Sequence, residues 1–219
     1  MSTENILFFC LQFYRQNLLY KTAPLLISVL FHLTISAECA ILVEKERKEV
    51  SPCMTAERFA AIEKWFKADP KRIGFLKAVS KTTSVVGYGA YAVLLIFLLI
   101  TKNFGGLIRC IAVPAVTFIL ATLIRSGINA PRPYEKLGIT PLIPKNTKGK
   151  SFPSRHVVCI VIIAAAWLYI YPPVGIFMSA VSLVIMIIRP LAGVHFTVDV
   201  IAGAVFAALC GIIGFGLIP

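Results

Sequence analysis

Apolar residues along this chain gather into long runs separated by polar connections. The runs are Ala23–Val43, Ser84–Thr101, Leu107–Ile124, Val157–Tyr171, Val174–Ile188 and Phe196–Leu217. A helix crossing a bilayer needs about 20 largely apolar residues, so the pattern predicts an all-α fold, a six-span transmembrane helical bundle. Ile6–Phe13 is apolar but too short to cross; with Tyr14, Arg15, Tyr20 and Lys21 it makes residues 1–22 an interfacial lead-in. The first span carries His32 and Glu38. These are read either as a polar contact inside the bundle or as a helix-end carboxylate and an interhelical hydrogen bond.

The connections have structure of their own. Residues 44–81 form a long polar connection in which Thr55–Lys67 is amphipathic. Phe59, Ile62, Trp65 and Phe66 lie on one face, and Glu57, Glu63, Lys64 and Lys67 on the other. This predicts a helix on the membrane surface, ended by Asp69-Pro70. Gly87, Gly89 and Ala90 open the second span to close helix packing, and Pro114 predicts a kink in the third. The connection 125–155 holds five prolines (131, 133, 141, 144 and 153) and reads as ordered loop. Six crossings return both termini to one face. The two long connections and the 189–195 turn then share the other. The chain is read as one integral membrane domain, 1–219, with a core at 125–199.

Composition supports a bilayer location. The chain is 58% hydrophobic and 15% charged, with a mean hydropathy of +0.84, against about a quarter charged in soluble domains. Its net charge is +12. In so apolar a chain this favours anionic lipid or a phosphorylated substrate as partner, with no nucleic acid expected. The six cysteines form no C-x-x-C pair and read as small buried hydrophobes. Met1-Ser2-Thr3-Glu4 lacks a basic n-region, so no cleaved signal peptide is expected.

Three polar islands interrupt the second half: Arg125–Pro133, Phe152–His156 and Arg189–Asp199. Ionisable groups are costly in a membrane and mark function there by default. Arg125 and Arg132 supply two guanidiniums able to grip a phosphate, with Pro131 and Pro133 stiffening the backbone around Arg132. Ser154 stands at a helix start, where it serves as a cap and where free N–H groups favour an anion. His156 follows in the first turn as a candidate general acid. His195 and Asp199 stand four apart, so a helix starting near His195 lets the carboxylate fix one ring nitrogen and leave the other to attack. Arg189 completes a cationic cage. No carboxylate cluster or His/Cys ligand set supports a metal site.

The three islands resemble the type-2 phosphatidic acid phosphatase superfamily, which shares its site with vanadium-dependent haloperoxidases. Arg125-x6-Arg132-Pro133 stands where that family has K-x6-R-P. Pro153-Ser154-Arg155-His156 stands for P-S-G-H, and Ile188-Arg189-x5-His195-x3-Asp199 for S-R-x5-H-x3-D. The resemblance implies metal-independent, cofactor-free hydrolysis of a lipid phosphate. His195 would attack phosphorus and form a phosphohistidine, Asp199 would orient it, and His156 would protonate the leaving oxygen and then activate water. Arg125, Arg132, Arg189 and the Ser154 region would hold the phosphate oxygens. Arginine at 125 keeps the charge with different geometry, and Ile188 forfeits a hydroxyl. Arg155 replaces a glycine: turned inward it would bind a second phosphate, turned outward it would meet headgroups.

The substrate classes implied are phosphatidic acid, phosphatidylglycerol phosphate or undecaprenyl diphosphate. A lipid phosphotransferase using the same site, or a non-catalytic lipid-binding or transport protein, is the alternative. The family likeness implies a bacterial plasma-membrane protein with an extracytoplasmic site. Against that, eighteen of the twenty-two Lys and Arg residues lie in segments on the site's face, which the positive-inside rule places in the cytoplasm.

Overall fold

A computed structural model of the chain describes residues 55–217. The lead-in at 1–22, the first expected span with His32 and Glu38, and the cysteines at 10, 39 and 53 lie outside the described residues. The described chain is helical. An amphipathic helix α1 (Ala56–Lys67) leads into α2 (Pro70–Ile100) and α3 (Phe104–Ile128), then a short α4 (Pro133–Lys136). After a long loop come α5 (Arg155–Ile170), α6 (Pro172–Leu191) and α7 (Thr197–Gly211), which ends in a π-helical turn, Ile212–Leu217. Four stretches are long and apolar enough to cross a membrane: Pro70–Ile100, Phe104–Lys136, Pro172–Leu191 and Thr197–Gly216. Arg155–Ile170 is a shorter apolar helix. To within a residue at their ends, these correspond to the five expected spans that fall within the described residues.

The central element is α5. Its buried residues include Val157, Val158, Ile160, Ile163, Ala166 and Trp167, more than one stripe of the helix. Helices α2, α3, α6 and α7 all pack against it. Small residues set the spacing. A methyl at Gly175 of α6 would stand 2.4 Å from the Leu168 backbone, and one at Gly211 would stand 2.8 Å from Ala165, so side chains there would force the helices apart. Trp167 Nε1 donates to the Ala90 carbonyl of α2 at 3.1 Å, and Tyr91 Oη to the Cys110 carbonyl of α3 at 3.0 Å. Ile96, Phe97, Ile119, Phe177, Leu183 and Ile201 are exposed, as the outward surface of a bilayer-embedded bundle requires.

Two boundaries differ from the sequence reading. Residues 70–81, expected within a polar connection, are the first turns of α2. Asp69 caps that helix, its carboxylate accepting from Lys71 N, and Pro70 begins it. Lys and Arg are good helix formers, so the charge of Lys71, Arg72, Lys77 and Lys81 reports surroundings and not a loop. At about 1.5 Å per residue, the 31-residue helix outreaches a hydrocarbon core of about 30 Å. At the second boundary, α3 runs past Ile124 and holds Arg125 in its last turn, until Asn129 takes the left-handed conformation (φ 45°) as C-cap.

The chain reverses at each crossing. The starts of α2, α5 and α7 therefore meet the ends of α3 and α6. Leu76 of α2 joins Ile188, Val194 and Phe196 in one buried cluster, together with Phe59 and Phe66 of α1 and Leu142 of the loop. The amphipathic helix thus packs its apolar face onto the α6–α7 turn. Gly193 in that turn has φ +70°, and a methyl there would sit 2.6 Å from the Phe59 ring. Gly193→Ala is expected to lose about 1–3 kcal/mol of stability. Gly89→Ala, which meets nothing within 4 Å, should hold or gain about 0.5–1 kcal/mol in its helix. Denaturation of both variants in mild detergent measures the difference; equal midpoints would refute this account of the turn.

Candidate active site

The three polar islands converge at that end of the bundle, on a cavity lined by Arg125, Arg132, Lys145, Arg155, His156, Arg189, Val194 and His195. Each position follows from its element. Arg125 is on the last turn of α3, Arg132 is the N-cap of α4, and His156 lies in the first turn of α5. Arg189 lies in the last turn of α6, and His195 just precedes Phe196, the N-cap of α7.

Two of the arginines hold the loop as well as line the cavity. Arg125 Nη1 donates to the carbonyls of Pro153 and, at 3.3 Å, Ser151. Arg132 Nε donates to Gly149 O at 3.1 Å and its Nη1 to Val194 O at 3.2 Å, tying the loop to the α6–α7 turn. Glu135 braces the same loop, accepting from Arg132 N at 2.8 Å and from Gly149 N at 2.9 Å. Arg189 is buried, and its Nε has no hydrogen-bond partner among the described residues.

His195 and Asp199 lie close, with Ser151 between them. Asp199, fully buried, accepts from Phe196 N at 3.1 Å through Oδ2, and the Ser151 hydroxyl donates to the same oxygen. His195 Nδ1 is 3.6 Å from Oδ2 and 3.3 Å from Ser151 Oγ. The nearer neighbour of the imidazole is therefore the serine, itself fixed through Ser151 N to Ala130 O at 2.9 Å. Burial pulls the His195 pKa down from its usual 6.5 to about 4, overriding the opposing pull of Asp199, while Arg132 and Arg125 add to the fall. The ring is neutral at ordinary pH, with Nε2 the nitrogen left for other work.

Of the residues expected at the site, Arg125, Arg132, Arg155, His156, Arg189 and His195 line the cavity, and Asp199 stands behind His195. Ser154 does not line it. It occupies the N-cap of α5 without making the side-chain cap bond expected of it. Its hydroxyl has no partner among the described residues, and its N–H is engaged by the Asp199 carbonyl at 2.9 Å. That N–H is not free for an anion. The sequence reading missed Ser151 and Lys145. Ser151 directly precedes the second polar island, which was its only signal. Lys145 was one basic residue among several in a loop. Among the described residues no group of three or more His, Cys, Asp or Glu could hold a metal ion.

A cavity rich in guanidinium and holding a neutral imidazole can bind an oxyanion and present a nitrogen nucleophile to it. Comparison with known proteins agrees with that chemistry. The family described as the PAP2 superfamily matches residues 106–219. The chain is similar to the crystal structure of LpxE from Aquifex aeolicus, at 27% identity and a TM-score of 0.58 over 75% of this chain and 96% of that one. It is also similar in fold to a transmembrane PAP2-type phosphatidylglycerolphosphate phosphatase from Bacillus subtilis, at 19% identity and a TM-score of 0.51 over 87% and 94% of the two chains. No curated protein gives a significant match.

The depressed pKa of His195 has a direct readout. Its ring resonances, assigned by their loss in His195→Ala, should not move between pH 8 and 5 and should titrate near pH 4 in micelles. A midpoint near 6.5 would contradict the burial argument.

Proposed function

The chain belongs to the PAP2 superfamily, and on that premise we propose that it is a phosphatase of phosphorylated membrane lipids, acting on a phosphate monoester or diphosphate through a phosphohistidine. The observation that carries this reading is the convergence of three separate motifs on one cavity, with a neutral, braced imidazole among guanidiniums. Phosphatidic acid, phosphatidylglycerol phosphate and undecaprenyl diphosphate are the proposed substrate types, each reaching the site sideways from the bilayer. The proposed location is a bacterial plasma membrane with the cavity on the outer face.

In the first step the Nε2 lone pair of His195 bonds to phosphorus and the bond to the lipid oxygen breaks. That oxygen takes a proton from His156, which enters the step as the imidazolium that the bound phosphate anion favours. In the second step water attacks the same phosphorus and gives its proton to His156. The N–P bond breaks, its electron pair returns to His195, and phosphate leaves. Arg125, Arg132 and Arg189 offset charge on the phosphoryl oxygens in both transition states, a role that needs no metal ion. Arg155 stands at the rim of the cavity, and Ser154 contributes by positioning the start of α5.

Asp199 acts on His195 across a direct 3.6 Å approach and also through Ser151. The imidazole Nδ1–H donates to Ser151 Oγ, whose own hydrogen goes to Asp199 Oδ2. Ser151 is thus a positioning residue that fixes the tautomer with Nε2 free.

Two measurements test these assignments. Phosphate release from a lipid phosphate panel in detergent, with chelator present, should fall by at least about 1,000-fold in His195→Ala, as for loss of an activated nucleophile. Retained release would sink the mechanism, and transfer of the phosphoryl group to another acceptor would establish a transferase instead. Ser151→Ala should lower kcat by about 10- to 100-fold with KM within about twofold, as for a group acting in the transition state. An unchanged kcat would remove Ser151 from the relay.

A further inference from the structure

We infer that Lys145 and Arg155 form a second anion subsite in the cavity, which takes the lipid-side phosphoryl group of a diphosphate while His195 addresses the terminal one. This rests on the phosphatase reading above and narrows it to a substrate class.

The first support is the supply of cations. Five of them, Arg125, Arg132, Arg189, Lys145 and Arg155, line one cavity, and no carboxylate does. The nearby carboxylates are committed elsewhere, Asp199 behind His195 and Glu135 to the loop backbone. Cations gathered around one cavity, three of them buried and with Arg155 exposed at its rim, repel each other and favour a ligand that supplies comparable negative charge. A phosphate monoester brings about two negative charges near neutral pH. A diphosphate brings more and spreads it over two phosphoryl groups.

The second support is the division of labour among the cations. Arg125 and Arg132 hold backbone carbonyls and so keep fixed places. Neither Lys145 nor Arg155 donates a hydrogen bond to any acceptor among the described residues or pairs with a carboxylate there. Among the described residues, the one ring contact of Arg155 places its guanidinium 5.9 Å from the Phe118 ring centroid, at the α3 side of the rim. Lys145 enters from the α4–α5 loop and is half-buried. Burial, and then Arg132, Arg189, Arg155 and Arg125, draw its ammonium pKa down. A bound anion would relieve that repulsion. Neither residue is a phosphate ligand in the three motifs: Lys145 lies between them, and Arg155 stands where the pattern has glycine.

The chemistry suits the geometry. When Nε2 of His195 attacks the terminal phosphorus, the bridging P–O bond breaks. Its electron pair stays on the lipid-side phosphate, which leaves as a lipid monophosphate. That leaving group gathers negative charge where Lys145 and Arg155 can offset it.

The test compares dodecyl phosphate with dodecyl diphosphate, which share a tail, on wild type, Lys145→Met and Arg155→Gly. In each variant kcat/KM should fall about tenfold or more further for the diphosphate than for the monophosphate, the scale of one lost charged hydrogen bond. Equal losses on both, or none on the diphosphate, overturn the subsite and leave the phosphatase reading standing. A binding measurement is independent of turnover. Inorganic pyrophosphate should raise the Tm of wild type more than inorganic phosphate does, and the margin should shrink in both variants. No margin in wild type overturns the subsite, whereas failure of wild type to hydrolyse either lipid overturns the phosphatase reading.

Discussion

A guanidinium that pairs with no carboxylate must direct its donors to neutral acceptors or to a ligand, and the cavity end of this bundle is organised by that constraint. Arg125 bonds the carbonyls of Ser151 and Pro153, and Arg132 those of Gly149 and Val194. These contacts join the last turn of α3 to the loop before α5, and that loop to the turn before α7. In the low-dielectric interior such bonds are strong, and leaving them unmade is costly. The same residues that crowd the cavity with charge therefore fix the loop that completes it. Removing either arginine would alter loop position as well as anion affinity, so a simple loss of activity in such a variant does not isolate phosphate contact.

The braced loop places Ser151 between His195 and Asp199, and α1 steadies the arrangement from the other side. Phe59 packs on Gly193 and on the cluster containing Val194 and Phe196, the residues flanking His195. The amphipathic helix expected on the membrane surface thus forms a wall of the α6–α7 turn. Displacing α1 would act on the position of the imidazole without touching the cavity arginines. This gives the first long connection a structural task that its amphipathic pattern alone does not reveal.

Much of the fold was legible because hydropathy has few interpretations over long runs. The runs at 84–101, 107–124, 157–171, 174–188 and 196–217 match described helices to within a residue at their ends, and alternation of direction brings the islands to one end. Where charge was taken for loop, as at Lys71, Arg72, Lys77 and Lys81, the reading failed because helix propensity and membrane depth are separate properties. The motif residues were legible by type and spacing, and the structure gathers most of them at one cavity. Ser154 illustrates the limit. A serine before a helix reads as a cap, yet its N–H is taken by the carbonyl of Asp199, two helices further along the chain in α7, a contact with no local signature. Ser151 and Lys145 depend likewise on how a proline-rich loop folds back over the bundle. Arg155 was legible as a departure from glycine, but its placement at the rim beside Phe118 needed coordinates.

The central claim is that the His195 imidazole carries the phosphoryl group between lipid and water. The most direct measurement is rapid acid-avoiding quench of the protein with a 32P-labelled lipid phosphate, followed by peptide mapping. The account predicts an alkali-stable, acid-labile phosphoryl group on the peptide containing His195, formed within a single turnover and missing from His195→Ala. Label on another residue, or full turnover in a variant lacking the His195 imidazole, would contradict it.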